Sequence, residues 1–391
     1  MKSILVVSFS SLFHDSRVKR QLQFLTHRYD VTLAAYNSPD GLTENFIQIA
    51  KPRLTNIKKI KLAISLLFRV HSISYKLLFG ENELTRRLQG KVFDLVIAND
   101  IETLPISFKV ASLKGVVLDA HEYSPRQFED KFIWRLLFQP LNNHICKKYI
   151  ARTVAMTTIG KGIAAEYKRN FKCDPIVINN ATWKNDINIS PVGEQIKIIH
   201  HGGATTSRHL ENMIEMMQYL DNRFTLNLML VVPELASAKT RNYISKLKSI
   251  ASEDKRITFV AAVKSDEVIS KINQYDLGII IVPSVNFNYA NGLPNKLFEF
   301  IQARLAVCVG PIPEIAEIIR QYDLGIVFET FDPKEVAYQL SSLTKKRLNE
   351  LKQNSARAAK ELTAESNSLI FNKLIEDVLM NANPQRYDTN R

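Results

Sequence analysis

Two oppositely charged residues, Lys296 and Glu299, stand one helical turn apart in residues 276–310, DLGIIIVPSVNFNYANGLPNKLFEFIQARLAVCVG. A lysine in the first turn of a helix adds its charge to N–H groups and a dipole that already favour an anion. A carboxylate one turn on can accept two hydrogen bonds from a diol such as a ribose. Phosphate at the helix start and ribose at the carboxylate describe a nucleotide diphosphate. Upstream, IKIIHHGG (196–203) runs into a turn at Gly202 and Gly203, and Arg208 follows. A strand, a small-residue loop and a helix start with an arginine can hold the second edge of a diphosphate. In the first half, Asp100 ends FDLVIAND (93–100), and Asp119, His121 and Glu122 end VVLDAHEY (116–123). Each set also fits a plainer reading: a βαβ unit with a solvated lysine and glutamate, a surface arginine, a satisfied structural histidine.

The elements that would position these residues alternate strand and helix. LGIIIVP is a short β-branched run, as expected of a parallel strand buried on both faces, and LAVCVG returns as another. Residues 286–294 read as a polar loop, and Pro294 suits a first helical turn. Leu297, Phe298, Ile301 and Leu305 then recur at helical spacing. The helix front thus falls past a strand's carboxyl end, where α/β folds bind ligands. Further strands are predicted over 3–9, 31–36, 175–182, 224–232, 256–263 and 325–329, and helices over most of 101–115 and 125–171. Residues 39–52 read as irregular. Residues 132–138 are a concentrated apolar patch, read as core in preference to an acceptor-lipid contact. Over 56–80, Ile60, Ile64, Leu67 and Leu78 recur at helical spacing among Lys58, Lys59, Lys61, Arg69 and Lys76. That stretch fits an amphipathic segment on an anionic membrane surface, or a core-packed helix pair with a basic outer face.

With 391 residues the chain suits two domains of ordinary size. The expected class is α/β, with two doubly wound (Rossmann-like) domains facing a central cleft. Residues 183–195 are the expected linker. The expected domains are 1–185, 186–365, and a C-terminal segment 366–391 whose helix returns towards the first domain before a frayed tail. Net charge is +13, with 28 Lys/Arg against 16 Asp/Glu in residues 1–190 and 24 against 23 in the rest. The positive field belongs to the N-terminal half and attracts polyanions or anionic lipid. No recognition module or basic-aromatic face points to nucleic acid. Three scattered cysteines, Cys146, Cys173 and Cys308, fit a reducing compartment and form no metal pattern. The opening MKSILVVSFSS reads as a first strand rather than a signal peptide, and no apolar run is long enough to predict a transmembrane helix.

The stretch NGLPNKLFEFIQARLAV resembles the signature helix of the retaining glycosyltransferases of family 4, which have the GT-B fold. That signature carries two glutamates eight positions apart; the second matches Glu299, and Asn291 occupies the place of the first. The form PNK followed by two apolar residues and Glu resembles a subgroup that builds bacterial surface polysaccharides. FDLVIAND, LDAHE, AMTTIGKGIAAEYKRNF (as a strand-turn-helix) and the HGG…R loop resemble the family's other motifs in order, over roughly residues 1–345; Ala204 stands where the family often has a further arginine. The resemblance implies a metal-independent, retaining hexosyltransferase with no cofactor beyond its nucleotide-sugar co-substrate. It implies a glycan or lipid-linked acceptor in capsule, O-antigen or exopolysaccharide synthesis, and a cytoplasmic place, peripheral on the inner face of the membrane. By the same match, His121 lies beside the reactive carbon, where an imidazole can bond a sugar hydroxyl or help move a proton. Catalysis is expected of His121, Glu299, Lys296 and Arg208. Donor binding falls to Gly202, Gly203, Arg208, Asn291, Gly292, Leu293, Pro294, Asn295, Lys296 and Glu299. Acceptor binding falls to Asp15, Arg17, Asp100, His121 and Glu122, with His14 beside them. Two other readings stay open: a nucleotide-sugar epimerase of the same architecture, and a non-catalytic partner subunit that kept the fold.

Overall fold

The computed structural model describes residues 1–13, 15–39, 41–232 and 236–380. His14 and the predicted frayed end NPQRYDTNR lie outside them. The chain divides into two compact units. Unit 1 comprises Met1–Asn179, Asn286–Asn288 and Asn367–Arg391, and unit 2 comprises Asn180–Val285 and Tyr289–Ser366.

In unit 1 the strands are β1 (Ser3–Ser8), β2 (Asp30–Ala35), β3 (Asn45–Gln48), β4 (Val92–Phe93), β5 (Leu95–Asn99), β6 (Ala111–Ser112), β7 (Val116–Ala120), β8 (Ala155–Thr158) and β9 (Ile176–Val177). Seven form one parallel sheet in the order β3-β2-β1-β5-β7-β8-β9, and β4 pairs with β6. The strands alternate between two cores, as a side-chain period of two requires. Leu5, Val7, Val96 and Leu118 enter one, while Ile4, Val6, Ile97 and Val117 enter the other. The second core is closed by Phe371, Leu374, Ile375 and Val378 of the helix Ala364–Met380.

Unit 2 holds β10 (Ile196–Gly203), β11 (Phe224–Val231), β12 (Ile257–Phe259), β13 (Leu277–Ile280) and β14 (Ala306–Val309). They form a parallel sheet in the order β12-β11-β10-β13-β14. β1 lies between β2 and β5, and β10 between β11 and β13, so each sheet reverses its strand order there and opens a crevice at its carboxyl edge.

Several local expectations are corrected. Residues 39–52 contain the edge strand β3, mostly exposed and therefore without an apolar pattern. The stretch 56–80, by contrast, is a helix pair, Asn56–Leu67 and His71–Phe79, as one of its two readings has it. The first ends where Arg69 takes φ 57 and the Val70 N–H returns to the Ser65 carbonyl at 2.8 Å. The helix Phe132–Leu137 buries none of its residues, and of the apolar patch only Leu137 and Phe138 pack partly against the core, so the patch is largely not core. β8 and the helix Lys161–Phe171 take up AMTTIGKGIAAEYKRNF as strand, turn and helix, as its resemblance implies. The helix expected over 101–115 shrinks to a 3-10 turn, Ile101–Thr103, and Leu104–Ser107 before β6. The loop 286–294 contains a helical turn, Phe287–Asn291. Residues 325–329 make only an isolated bridge, Val309 to Val327. Among the described residues no helix is long and apolar enough to cross a membrane.

Candidate active site

The crevice of unit 2 is built by β10, β13 and the helix Asn295–Gln302. That helix starts one residue later than expected: Pro294 is its N-cap, at φ −72 and ψ 148, and no side chain caps this end. Leu297, Phe298 and Ile301 are fully buried, so they fix which face Lys296 presents. Lys296 is itself buried. Its Nζ lies 3.2 Å from Nε2 of His200, whose Nδ1 lies 2.9 Å from the Ile279 carbonyl. A carbonyl only accepts, so Nδ1 carries the proton and Nε2 accepts from the lysine.

Arg208 reaches the same point. Its Nη1 donates to the Gly203 carbonyl at 2.7 Å. A Cβ on Gly202, where φ is +126, would lie 3.2 Å from Arg208 Nη1 and 3.3 Å from Lys296 Nζ. Guanidinium and amine therefore share a space that exists because position 202 has no side chain. Arg208 lies in a 3-10 turn, Thr206–Arg208, ahead of the helix that begins at Glu211, not at the helix start the spacing predicts.

Burial foremost, and then the Arg208 charge, push the Lys296 amine well below its ordinary value, with Glu299 opposing. Burial and the Lys296 charge push His200 well below the imidazole range. Burial, followed by Lys296 and Arg208, takes its neighbour His201 down to about 3. Both histidines are thus neutral. His201 packs edge-on against Phe300 at 5.1 Å. Its buried Nε2 makes no hydrogen bond, although Glu299 Oε2 lies 3.3 Å away without the required alignment. The crevice concentrates positive charge with one carboxylate, Glu299, at its side, an arrangement fit to receive an anion.

In unit 1 a second cluster sits at the carboxyl ends of β5 and β7. Asp119 accepts from Arg17 Nε at 3.0 Å and Nη2 at 2.5 Å, from Gln21 at 3.0 Å and from Thr157 at 2.7 Å. Burial raises this carboxyl, but the Arg17 and His121 charges outweigh it and hold it well below the usual range. Asp100 adopts φ 61 and ψ 160, a strained conformation for any residue with a side chain. It accepts the His121 backbone N–H at 2.8 Å and faces His121 Nδ1 at 3.3 Å. His121 Nε2 lies 3.3 Å from Asn99 Oδ1 and 3.6 Å from Asp119 Oδ2. Burial works against a charged ring, yet the Asp100 and Asp119 carboxylates raise it to about 9. His121 is a clamped imidazolium, able to donate and already holding its proton. Burial, with the Asp100 charge behind it, lifts Glu102 to about 8 and Glu122 to about 7.

Of the expected donor residues, Gly202, Gly203, Arg208, Lys296 and Glu299 come together in unit 2. Leu293 offers its carbonyl to Asn180 Nδ2 at 2.8 Å, Asn295 opens the helix exposed, and Asn291 and Gly292 lie half-buried before it. Of the acceptor residues, Asp100, His121 and Glu122 come together in unit 1, where Glu122 is held by Gln127 and by Asn288 at 3.4 Å. Arg17 is tied to Asp119 and, at 2.7 Å, to the Ile178 carbonyl, so it positions the cluster. Asp15 caps the helix Ser16–Thr26 through the Val18 N–H and accepts from Ser10 at 2.7 Å. Sequence reasoning missed His200, His201 and Glu102. The HH pair before Gly202 was a visible signal, but its partners lie some eighty to a hundred positions away.

No family model matches this chain, and no curated protein matches it. Solved structures do. Sucrose-phosphate synthase from Thermosynechococcus elongatus matches at 13% identity and a TM-score of 0.72, over 97% of this chain and 99% of that one. HepE of Anabaena, in complex with UDP-glucose, matches at 10% identity and 0.69, over 96% and 100%. Trehalose 6-phosphate synthase from Burkholderia multivorans matches at 10% and 0.67, over 96% and 98%. At these identities the likeness establishes the fold: GT-B, with two Rossmann-like domains, as the resemblance of the motifs implies.

Proposed function

We propose that this GT-B chain transfers a glycosyl group from a nucleotide-diphosphate sugar to a glycan or lipid-linked acceptor. The observation that carries the reading is the convergence of Lys296 Nζ and Arg208 Nη1 over Gly202, at the switch point of a parallel sheet. A protein of the same fold holding UDP-glucose supports it. The diphosphate lies against Lys296, Arg208 and the start of the helix Asn295–Gln302, and Glu299 takes the ribose hydroxyls. Asn291 stands near the sugar in place of a carboxylate.

In the reaction the bond from the anomeric carbon to a diphosphate oxygen breaks, and an acceptor oxygen takes its place. The transition state resembles an oxocarbenium ion, with negative charge growing on the departing diphosphate. Lys296 and Arg208 stabilise that charge in the role a divalent ion would otherwise fill. His121 already holds its proton, so it donates a hydrogen bond to a sugar hydroxyl, and the acceptor proton passes to the departing phosphate oxygen. The configuration is retained. Asp100 and Glu122 orient the acceptor.

The acceptor belongs to surface-polysaccharide synthesis, and the chain works in the cytoplasm against an anionic membrane surface. In support, Ile57, Ile60, Ile64, Leu67 and Phe68 are exposed along the helix Asn56–Leu67 and its end, beside Lys58, Lys59 and Lys61. That helix packs against Phe132–Leu137, where Phe132, Ile133 and Leu136 extend the apolar surface.

A melting-point panel with nucleotide sugars tests the donor reading, since a tight donor raises the transition. A shift with at least one nucleotide sugar, lost in Lys296→Ala and Arg208→Ala, is expected. A shift unchanged in both variants would defeat the assignment. Product analysis then separates transfer from epimerisation or no reaction.

A further inference from the structure

At the carboxyl ends of β1, β2 and β3, within unit 1, lies an open pocket of about 960 Å³. Its floor is aromatic. Phe9 stacks on Tyr36 with ring centroids 6.0 Å apart and on Phe79 at 5.4 Å, and Lys51 Nζ lies 5.9 Å from the Tyr36 ring. Burial, and then the Glu102 charge, push the Tyr36 phenol up to about 12, so it stays a neutral hydrogen-bond donor.

Four cations line the pocket: Lys51, Arg53, Lys58 and Lys76. All four are exposed, and among the described residues no carboxylate pairs with any of them. Glu83, the carboxylate among the described lining residues, is turned to Arg87 at 2.7 Å. Four like charges around one cavity repel each other and are relieved by an anion of charge two or more. A single carboxylate would leave most of that repulsion in place. The volume is also far larger than a bare phosphate and suits a ligand of sugar size. The aromatic floor offers a face for a sugar ring or another apolar body, and Asn37 and Gln48 line the same space with amides for hydroxyls.

We propose that this pocket binds the phosphate- or diphosphate-bearing end of the acceptor, with the anion at the four cations and the attached body on the Phe9–Tyr36 floor. The assignment rests on the glycosyl-transfer reading, in which unit 1 takes the acceptor. It narrows that acceptor from any glycan to a phosphorylated one, carried either on a soluble sugar or on a lipid.

The test is calorimetric binding to the full chain of glucose, of glucose 6-phosphate, of plain phosphatidylcholine vesicles and of the same vesicles carrying a polyprenyl diphosphate. At least one phosphate-bearing probe is expected to bind more tightly than its neutral counterpart, and which one does identifies the carrier. Lys51→Gln with Lys76→Gln, and Arg53→Gln separately, should each weaken that binding about tenfold or more. The substituted side chains are exposed, so the fold should survive. Neither phosphate probe exceeding its neutral counterpart, or equal binding by the variants, would overturn the proposal. The nucleotide-sugar melting shift, read on the same preparations, separates the two ideas. Its absence in the wild type alongside intact phosphate binding would sink glycosyl transfer and leave the pocket. Its retention without phosphate binding would do the reverse.

Discussion

The Lys296 amine is held by a neutral partner: Nζ lies 3.2 Å from Nε2 of His200, and the far side of the same ring is fixed by the Ile279 carbonyl. A carboxylate in that place would orient the amine and cancel its charge. An unprotonated imidazole orients it and leaves its charge to a ligand. The cost is a lysine held in a buried, electropositive site, and an incoming diphosphate relieves it.

Replacing His200 with Phe keeps an aromatic body and removes the acceptor. Nucleotide-sugar affinity should fall about tenfold, the effect of one charge-assisted hydrogen bond. His200→Gln, which can still accept, should recover part of it. Calorimetry on both variants checks this, and equal affinity in wild type and His200→Phe would show that the contact positions nothing.

Gly202→Ala should fail on two counts. Its φ of +126 is unfavourable to any side chain, and the new methyl would press on Arg208 Nη1 and Lys296 Nζ. A loss of about 1 kcal/mol of stability or more is expected, with donor affinity falling further than in Gly193→Ala, whose Cβ would meet no atom closer than 3.8 Å. Chemical denaturation and nucleotide titration read the two effects separately.

The two units should respond oppositely to pH. In unit 1, His121 is raised from 6.5 to about 9, so its stabilisation is complete below about 6.5 and is lost as pH rises through 9. Glu102, raised from 4.5 to about 8, pulls the same way, because its folded form keeps a proton that the unfolded chain releases. In unit 2, His200 and His201 are depressed, so acid favours the unfolded chain, which takes up protons below about 6.5 that the fold refuses. Hydrogen exchange across pH 5 to 9 should show unit 1 loosening towards alkaline pH and unit 2 towards acid. Glu102→Gln should flatten the alkaline slope of unit 1.

The parts legible in the sequence are those set by local pattern. β1, β13 and β14 are buried along almost their whole length and read as apolar runs. Leu297, Phe298 and Ile301 declared the buried face of their helix, and with it the turn that carries Lys296. What escaped depends on distant partners or on weak burial. β3 is an exposed edge, and the strand expected over 175–182 shortens to two residues, β9. Phe132, Ile133 and Leu136 have the composition of a core and lie in solvent. The guanidinium of Arg17 is tied to Asp119, 102 positions on. No spacing rule reveals that pairing, nor the grip of His200 on Lys296.

Ile60→Glu with Ile64→Glu should leave the melting temperature nearly unchanged, because both side chains are already exposed. Co-sedimentation with anionic vesicles at low salt should be lost in this variant and retained in the wild type. Failure of the wild type to sediment would remove the membrane from the proposed setting.

The most direct test of the donor site is a solved complex of the full chain with its preferred nucleotide sugar. The diphosphate is expected within hydrogen-bond distance of both Lys296 Nζ and Arg208, at the amino end of the helix Asn295–Gln302. A nucleotide bound elsewhere, with Lys296 still engaged only by His200, would contradict it.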